Sequence, residues 1–323
     1  MNTKIAYCLV SDDSDYYYEQ LLISLYSLRR HNPDAIVELV VDEDTNATFV
    51  NERTKVYDYV TKVILIDVPH EFSKKQRSRY IKTSLREHIQ GDYLFIDTDT
   101  IIQSTLAEID SISADICAVQ EYNRLKYFTK NDNSMQVLAS KVGLVDELEN
   151  EPYFNSGVMY VKDSSRAHQF FESWHTSWKE TLSKGLDTDQ TSLCWANKKE
   201  GHVIEFLDDS WNCLLKQSEG LRDVKTAKIV HYACEHKGTR HISSLLCMFA
   251  ALKSSREVTP IIVFFIENPA IFMINGKEEI FLRESKSIYN LHKYHHSFFA
   301  FILWQAELIM HMISMVGKLK RHG

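Results

Sequence analysis

The chain has 323 residues, with 37 Lys and Arg against 44 Asp and Glu, a net charge of −7 at pH 7. That balance argues against a dedicated nucleic-acid binder, which carries a basic face. With 44% apolar and 25% charged residues, ten Gly and five Pro, the composition also excludes collagen-like and Pro/Gly-rich disordered chains. The length suggests roughly two domains, or one large domain with an appendage. A core of that size folds without a disulfide or structural metal. Six scattered Cys with no CxxC pair fit reduced thiols and a cytoplasmic setting.

Residues 5–10 are a short apolar run followed at once by Asp12 and Asp13, too short for a signal peptide and suited to a buried strand. Leu21, Leu22, Leu25, Tyr26 and Leu28 recur at helical spacing over 19–31, and Asn32-Pro33-Asp34 is a stop signal. Strands are predicted over 35–41 and 62–68, helices over 45–59 and 76–89, and a fourth strand over Tyr93–Ile96 that runs into Asp97-Thr98-Asp99-Thr100. This alternation predicts an α/β fold with parallel strands and helices on both faces. Ligands of such sheets bind beyond the carboxyl ends of the strands, where Asp12, Asp42 and Asp97 lie.

Further on, strands are predicted over 116–119, 158–161, 203–206 and 229–231, with helices over 167–182 and 191–197. Residues 121–152 read as a long loop or helical insert. The stretch 240–290 is read as a helical cap, a strand over 261–266 and a hairpin turning at Asn275-Gly276. Residues 298–316 are nearly all apolar, and Glu307, His311, Ser314 and Lys318 share one stripe of a helix. A wide apolar face, a thin polar stripe and the basic end Lys318, Lys320, Arg321 suit a helix lying in a membrane interface. Packing on the domain, or on a second copy as a homodimer, is the other reading. Ionisable groups mid-segment argue against a span.

The strongest chemical signal is Asp97-Thr98-Asp99. Carboxylates at i and i+2 of a strand end point the same way and can approach one ion. Hard oxygen donors suit Mg²⁺ or Mn²⁺. Two adjacent carboxylates are costly to bury unless a cation neutralises them. Such a cation, with open positions, would take a pyrophosphate; the alternative is a solvated acidic turn. No GxGxxG or GxxxxGK[ST] is present, so phosphates must be held by a metal and basic side chains. Arg77, Arg79 and Lys82 precede the strand, and Arg79 and Lys82 share a helix face. Asn155-Ser156-Gly157 reads as a strand-entry turn, with a small residue permitting close approach. Asp189 and Gln190 open a helix whose dipole would favour the carboxylate. His231 ends a strand and offers an imidazole beside two carboxylates.

In their joint order these motifs resemble family-eight retaining glycosyltransferases of the GT-A fold, which include glycogenin and bacterial lipopolysaccharide glucosyl- and galactosyltransferases. The matching text is Tyr93 to Thr100, Phe154-Asn155-Ser156-Gly157-Val158-Met159, Asp189-Gln190 and Ile229-Val230-His231-Tyr232, within about residues 4–238. The resemblance implies a nucleotide-sugar-binding catalytic domain over 1–238 and an appendage over 239–323. It implies Mn²⁺ (or Mg²⁺) on Asp97, Asp99 and His231, with Thr98 between the carboxylates. It places uracil and ribose at Val10, Ser11 and Asp12, with Tyr16 or Tyr17 as a stacking ring. It assigns Arg79, helped by Lys82, to the donor, Asn155 to the sugars, and Asp189 and Gln190 to the donor sugar and reacting face.

The family's late His-x-x-Gly and Lys-Pro-Trp are absent; Lys237 stands as a substitute charge and His236 as a rival to His231. The expected reaction moves a hexose from a UDP-sugar to a glycan or lipid-linked acceptor, in surface polysaccharide or lipopolysaccharide synthesis at the inner face of a membrane. The metal would offset charge on the departing UDP. Retention requires either a covalent intermediate on Asp189, Gln190 or Asn155, or same-side attack with UDP as base. A haloacid-dehalogenase-type phosphatase with Asp97 as nucleophile and Asp208-Asp209 as acidic pair is the first alternative. A non-catalytic sugar-nucleotide-binding module is the second.

Overall fold

The computed structural model describes residues 1–121, 139–148, 151–215, 221–232 and 243–270. In chain order these form β1 (Lys4–Leu9), α1 (Tyr17–His31), β2 (Val37–Asp42), α2 (Glu43–Ala47), β3 (Lys62–Ile66), α3 (Lys74–His88), β4 (Tyr93–Ile96), β5 (Thr100–Ile102) and β6 (Ile116–Gln120). There follow α4 (Val145–Leu148), β7 (Phe154–Val161), α5 (Ser165–Ser183), α6 (Asp189–Lys199), β8 (Ile204–Phe206), β9 (Cys213–Leu214), α7 (Leu221–Thr226), β10 (Ile229–His231), α8 (Ser243–Ser255) and α9 (Pro260–Glu267).

The main sheet has seven strands in the order β3-β2-β1-β4-β7-β6-β8. Strands β3, β2, β1 and β4 are parallel, and β7 runs against both of its neighbours. Period-two alternation divides β1 between two cores. Ile5, Tyr7 and Leu9 pack with α1, whereas Ala6, Cys8 and Val10 pack with residues of α3, α5 and α6. Cover on both faces is why β1, β2 and β4 are near-continuous apolar runs. A capping box of Ser73 and Gln76 starts α3. Ser164 caps α5, which carries the buried Phe170, Phe171, Trp174 and Trp178. Met248, Phe249 and Leu252 of α8, with Ile262 and Ile266 of α9, join the α1-side core.

A second sheet, β5-β10-β9, pairs β10 antiparallel to β5 and parallel to β9. The chain passes from the main sheet to this one through Asp97-Thr98-Asp99, between β4 and β5. Backbone bonds stitch that turn on both sides. Asp97 N–H donates to Gly157 O at 2.7 Å, and Tyr232 N–H donates to Asp99 O at 3.1 Å.

Several expectations need correction. The helix expected over 45–59 is α2 followed by a 3-10 segment, Asn51–Asp58. The β-branched and aromatic run Thr48-Phe49-Val50 interrupts it, and Asn51 takes a positive φ of 51°. Residues 261–266 form helix, not strand: Thr259 stands at the N-cap and Pro260 begins α9, and a short apolar run does not distinguish the two states. Asn155-Ser156-Gly157 lies inside β7 rather than in a turn before it. Strands β5 and β9 were not expected. The Asn275-Gly276 hairpin, Lys237, His236, residues 122–138 of the insert and the 298–321 segment lie outside the described residues. Among the described residues, no helix is long and apolar enough to cross a membrane.

Candidate active site

A cleft of about 400 Å³ opens beyond the ends of β1 and β4. Its walls include Val10, Tyr17, Arg79, Lys82, Asp97, Thr98, Asp99, Asn155, Ser156, Gly157, Asp189, Gln190 and His231. Six separate stretches of chain thus converge, and the sheet order explains how. The central β4 lies between β1 and β7, and β5 carries Thr100 into register with His231 of β10.

Asp97, Asp99 and His231 each offer a ligand atom, all within 4.8 Å of one another. His231 Nε2 lies 3.1 Å from Asp99 Oδ1. Two carboxylate oxygens and an imidazole are the donor set that Mn²⁺ or Mg²⁺ accepts, so the residues present fit such an ion. Burial raises the cost of the Asp99 anion, but His231 outweighs it and holds that carboxyl below its usual range. For His231 the balance is mirrored: burial disfavours the cation, and Asp99 raises the pKa above its ordinary value. At Asp97 burial dominates against Lys82, Asp99 adds repulsion, and the carboxyl is pushed up.

The basic wall comes from α3. Lys82 is 2% exposed. Its Nζ meets Asp97 Oδ1 at 3.0 Å and Oδ2 at 3.1 Å, and Asp189 Oδ2 at 3.2 Å. Arg79 Nε stands 2.9 Å from Asp189 Oδ1. Burial pushes Asp189 up, yet Arg79 and Lys82 overcome it and hold the carboxyl well below the usual range. Ser156 Oγ also donates to Asp189 Oδ2 at 2.8 Å, and Trp174 Nε1 donates to the Asp189 carbonyl at 3.0 Å. Both carboxylate oxygens of Asp189 are therefore committed to neighbours.

A polar chain runs behind the cleft. Gln190 Nε2 and Asn155 Nδ2 both donate to Glu121 Oε2, at 2.8 and 2.9 Å. Asn155 Oδ1 accepts from Gly157 N–H and from Asn212 Nδ2, both at 2.8 Å. Asn212 Oδ1 lies 2.9 Å from His231 Nδ1. Sequence reading missed Glu121 and Asn212. Neither sits in a motif, and only the tertiary fold brings the end of β6 and the turn before β9 to this place. It also missed Gln20, Lys74, Lys75 and Ser78, which line the cleft.

Some expected residues stand elsewhere. Ser11 and Asp12 belong to the loop after β1 and do not line the cleft. Ser11 Oγ donates to Asp15 Oδ1 at 2.7 Å, and Asp12 pairs with Lys74 at 2.5 Å. Tyr16 packs near Phe249, with Lys253 over its ring, whereas Tyr17 reaches the cleft. Arg77 faces away, pairing with Asp42 at 3.1 Å and with Asp44.

Comparison with known proteins follows the same lines. The family model for glycosyl transferase family 8 matches residues 8–238. No individually curated protein matches the sequence. Among solved structures, the galactosyltransferase LgtC in complex with donor and acceptor sugar analogues aligns at TM-score 0.50 and 17% identity, covering 80% of this chain and 98% of its own. The bifunctional glycosyltransferase WbbM aligns at TM-score 0.52 and 17% identity, over 87% of this chain and 51% of WbbM. GlyE of Streptococcus pneumoniae TIGR4 aligns at TM-score 0.50 and 13% identity, over 85% of this chain and 65% of GlyE. These likenesses concern the fold. The chain has a GT-A fold, is a glycosyltransferase, and belongs to glycosyltransferase family 8.

Proposed function

We propose that this glycosyltransferase moves a hexose from a UDP-sugar to a hydroxyl of a glycan or lipid-linked acceptor, with retention and with Mn²⁺ or Mg²⁺. The observation that carries the reading is the convergence of Asp97, Asp99 and His231 on one wall of the cleft, with Arg79 and Lys82 on the next. A bound divalent ion supplies positive charge against a departing diphosphate. Lys82 and Arg79 add fixed positive charge on the same side. Val10 and Tyr17 shape the nucleoside end, with Ser11, Asp12 and Tyr16 behind them in the adjoining loop.

Asp189, Gln190 and Asn155 form the reacting face. Asp189 is already tied to Arg79, Lys82 and Ser156, which supports same-side attack over a covalent intermediate on this carboxylate. Gln190 spends its Nε2 on Glu121, leaving Oε1 for the transferring sugar. With the family established, the phosphatase alternative has no support.

Residues 239–323 and the insert over 121–152 are proposed to shape the acceptor side, with Lys237 as an added charge. The 298–321 segment is proposed to meet the inner face of the cytoplasmic membrane, as surface polysaccharide or lipopolysaccharide synthesis requires. If deleting 295–323 leaves membrane flotation unchanged, that contact is wrong.

The central test is thermal unfolding with UDP, UDP-glucose and UDP-galactose, with and without Mn²⁺. A hundredfold excess over Kd raises apparent stability by about 2.7 kcal/mol. Asp97→Asn with Asp99→Asn is expected to remove the Mn²⁺-dependent part, and UDP release from a UDP-sugar should cease with it. Unchanged Mn²⁺-dependent stabilisation in that double variant overturns the reading.

A further inference from the structure

We propose that Asn212 is a positioning residue that presets His231 to bind a divalent cation through Nε2. The inference rests on the reading of Asp97, Asp99 and His231 as a cation site. A backbone N–H only donates. That of Gly157 reaches Asn155 Oδ1 at 2.8 Å, so Asn155 must turn its oxygen this way and its Nδ2 toward Glu121. A carboxylate only accepts, so the two contacts agree. Asn155 Oδ1 then faces Asn212 at 2.8 Å and requires Nδ2 there. Asn212 is left with one orientation, its Oδ1 toward His231 Nδ1 at 2.9 Å.

An amide oxygen has no proton to give, so Nδ1 of His231 carries one. In the neutral ring the lone pair falls on Nε2. That atom faces Asp99 Oδ1 at 3.1 Å, where two lone pairs would repel, so positive charge lies between them: a proton when the ring is the cation, or a divalent ion that takes the proton's place. The amide chain thus prepares the ring to receive a cation at the end where the acidic pair stands. Asn155, Asn212 and His231 are each more than nine-tenths buried, which shields these orientations from competing water. Strand pairing fixes the spacing: Cys213, the residue after Asn212, is in register with Val230, the residue before His231.

The test titrates Mn²⁺ into the full chain without donor, following the ion by electron paramagnetic resonance. Directly bound imidazole is read from its ¹⁴N modulation. Asn212→Ala is expected to weaken Mn²⁺ binding about 10- to 100-fold and to lose that modulation. Asn212→Asp keeps an acceptor facing Nδ1, and is expected to keep the modulation and bind more tightly than Asn212→Ala. The proposal is overturned if folded Asn212→Ala binds as the wild type does, or if Asn212→Asp falls as far as Asn212→Ala. If Asn212→Ala does not fold, Asn212→Asp decides alone, and loss of its ¹⁴N modulation is the overturning result. Failure of the cation-site reading is a different outcome: the wild type itself binds no Mn²⁺, or Asp97→Asn with Asp99→Asn binds it undiminished.

Discussion

A methyl group on Gly157 would lie 2.4 Å from Cε1 and 2.8 Å from Nδ1 of His231. No real Cβ contact is that short, and the neighbour is a buried ring in a fixed strand. Gly157→Ala should therefore push His231 out of line with Asp99. We expect overpacking to cost about 1–3 kcal/mol in unfolding free energy. Mn²⁺ affinity should fall about tenfold or more. A melt and a metal titration check both, and unaltered metal affinity would show that the ring does not bind the ion.

Lys82 is a built-in counter-charge for Asp97 and Asp189. Lys82→Met removes the ammonium from Asp97 and leaves the buried Asp189 with Arg79 as its one remaining cation, and should destabilise by about 3 kcal/mol in urea unfolding. Mn²⁺ should restore part of this loss, because it replaces charge beside Asp97. Equal Mn²⁺ stabilisation of variant and wild type would contradict that substitution of one cation for another.

Glu121 holds the amides of Gln190 and Asn155 together from behind. Glu121→Leu leaves the Gln190 amide free to turn, whereas Asn155 keeps its bond from Gly157 N–H. Transfer measured as UDP release should fall about 100-fold, as a misplacement near 1 Å does. Mn²⁺ affinity should change little. Glu121→Gln should recover part of the rate, since its side-chain oxygen still accepts. A normal rate in Glu121→Leu would remove Glu121 from the machinery.

His175 lies beneath α3, its Nδ1 2.7 Å from Thr83 Oγ1. Thr83 Oγ1 donates to the Arg79 carbonyl at 2.8 Å, so Nδ1–H donates to Thr83. Burial, aided by Lys179 and His88, depresses its pKa to about 4. A depressed imidazole means that the unfolded chain binds more protons between pH 6.5 and 4. Stability is then full above pH 6.5 and falls as pH drops to about 4, by up to about 3 kcal/mol from this group. His175→Gln should flatten that slope in urea unfolding followed across the window; an unchanged slope assigns the acid loss to other groups.

The legible parts of the sequence were those where local pattern and tertiary role coincide. Tyr93–Ile96 and Ile229–His231 came out at their observed bounds because each is an unbroken apolar run closed by a polar residue. Arg79 and Lys82 share a helix face by spacing alone, and that face meets the cleft. Asn212 was not legible, because its partners lie on β7 and β10 and only the small sheet brings them near. Residues 261–266 misled for a related reason: apolar runs of that length carry no period, and Pro260 decides the outcome. In the loop after β1, Ser11 and Asp12 spend their side chains on Asp15 and Lys74, contacts that only the folded chain reveals.

Asp97 directly follows a strand of the large sheet, and His231 closes one of the small sheet. An ion gripping both would act as a brace between two hydrogen-bonded sheets, which the chain already links over 97–99, 103–115 and 207–212. Loading should then slow amide exchange at Ile101, Ile102 and Val230, deep in the smaller body. Nucleotide arrival and mechanical stiffness would become linked quantities, each strengthening the other by the same factor.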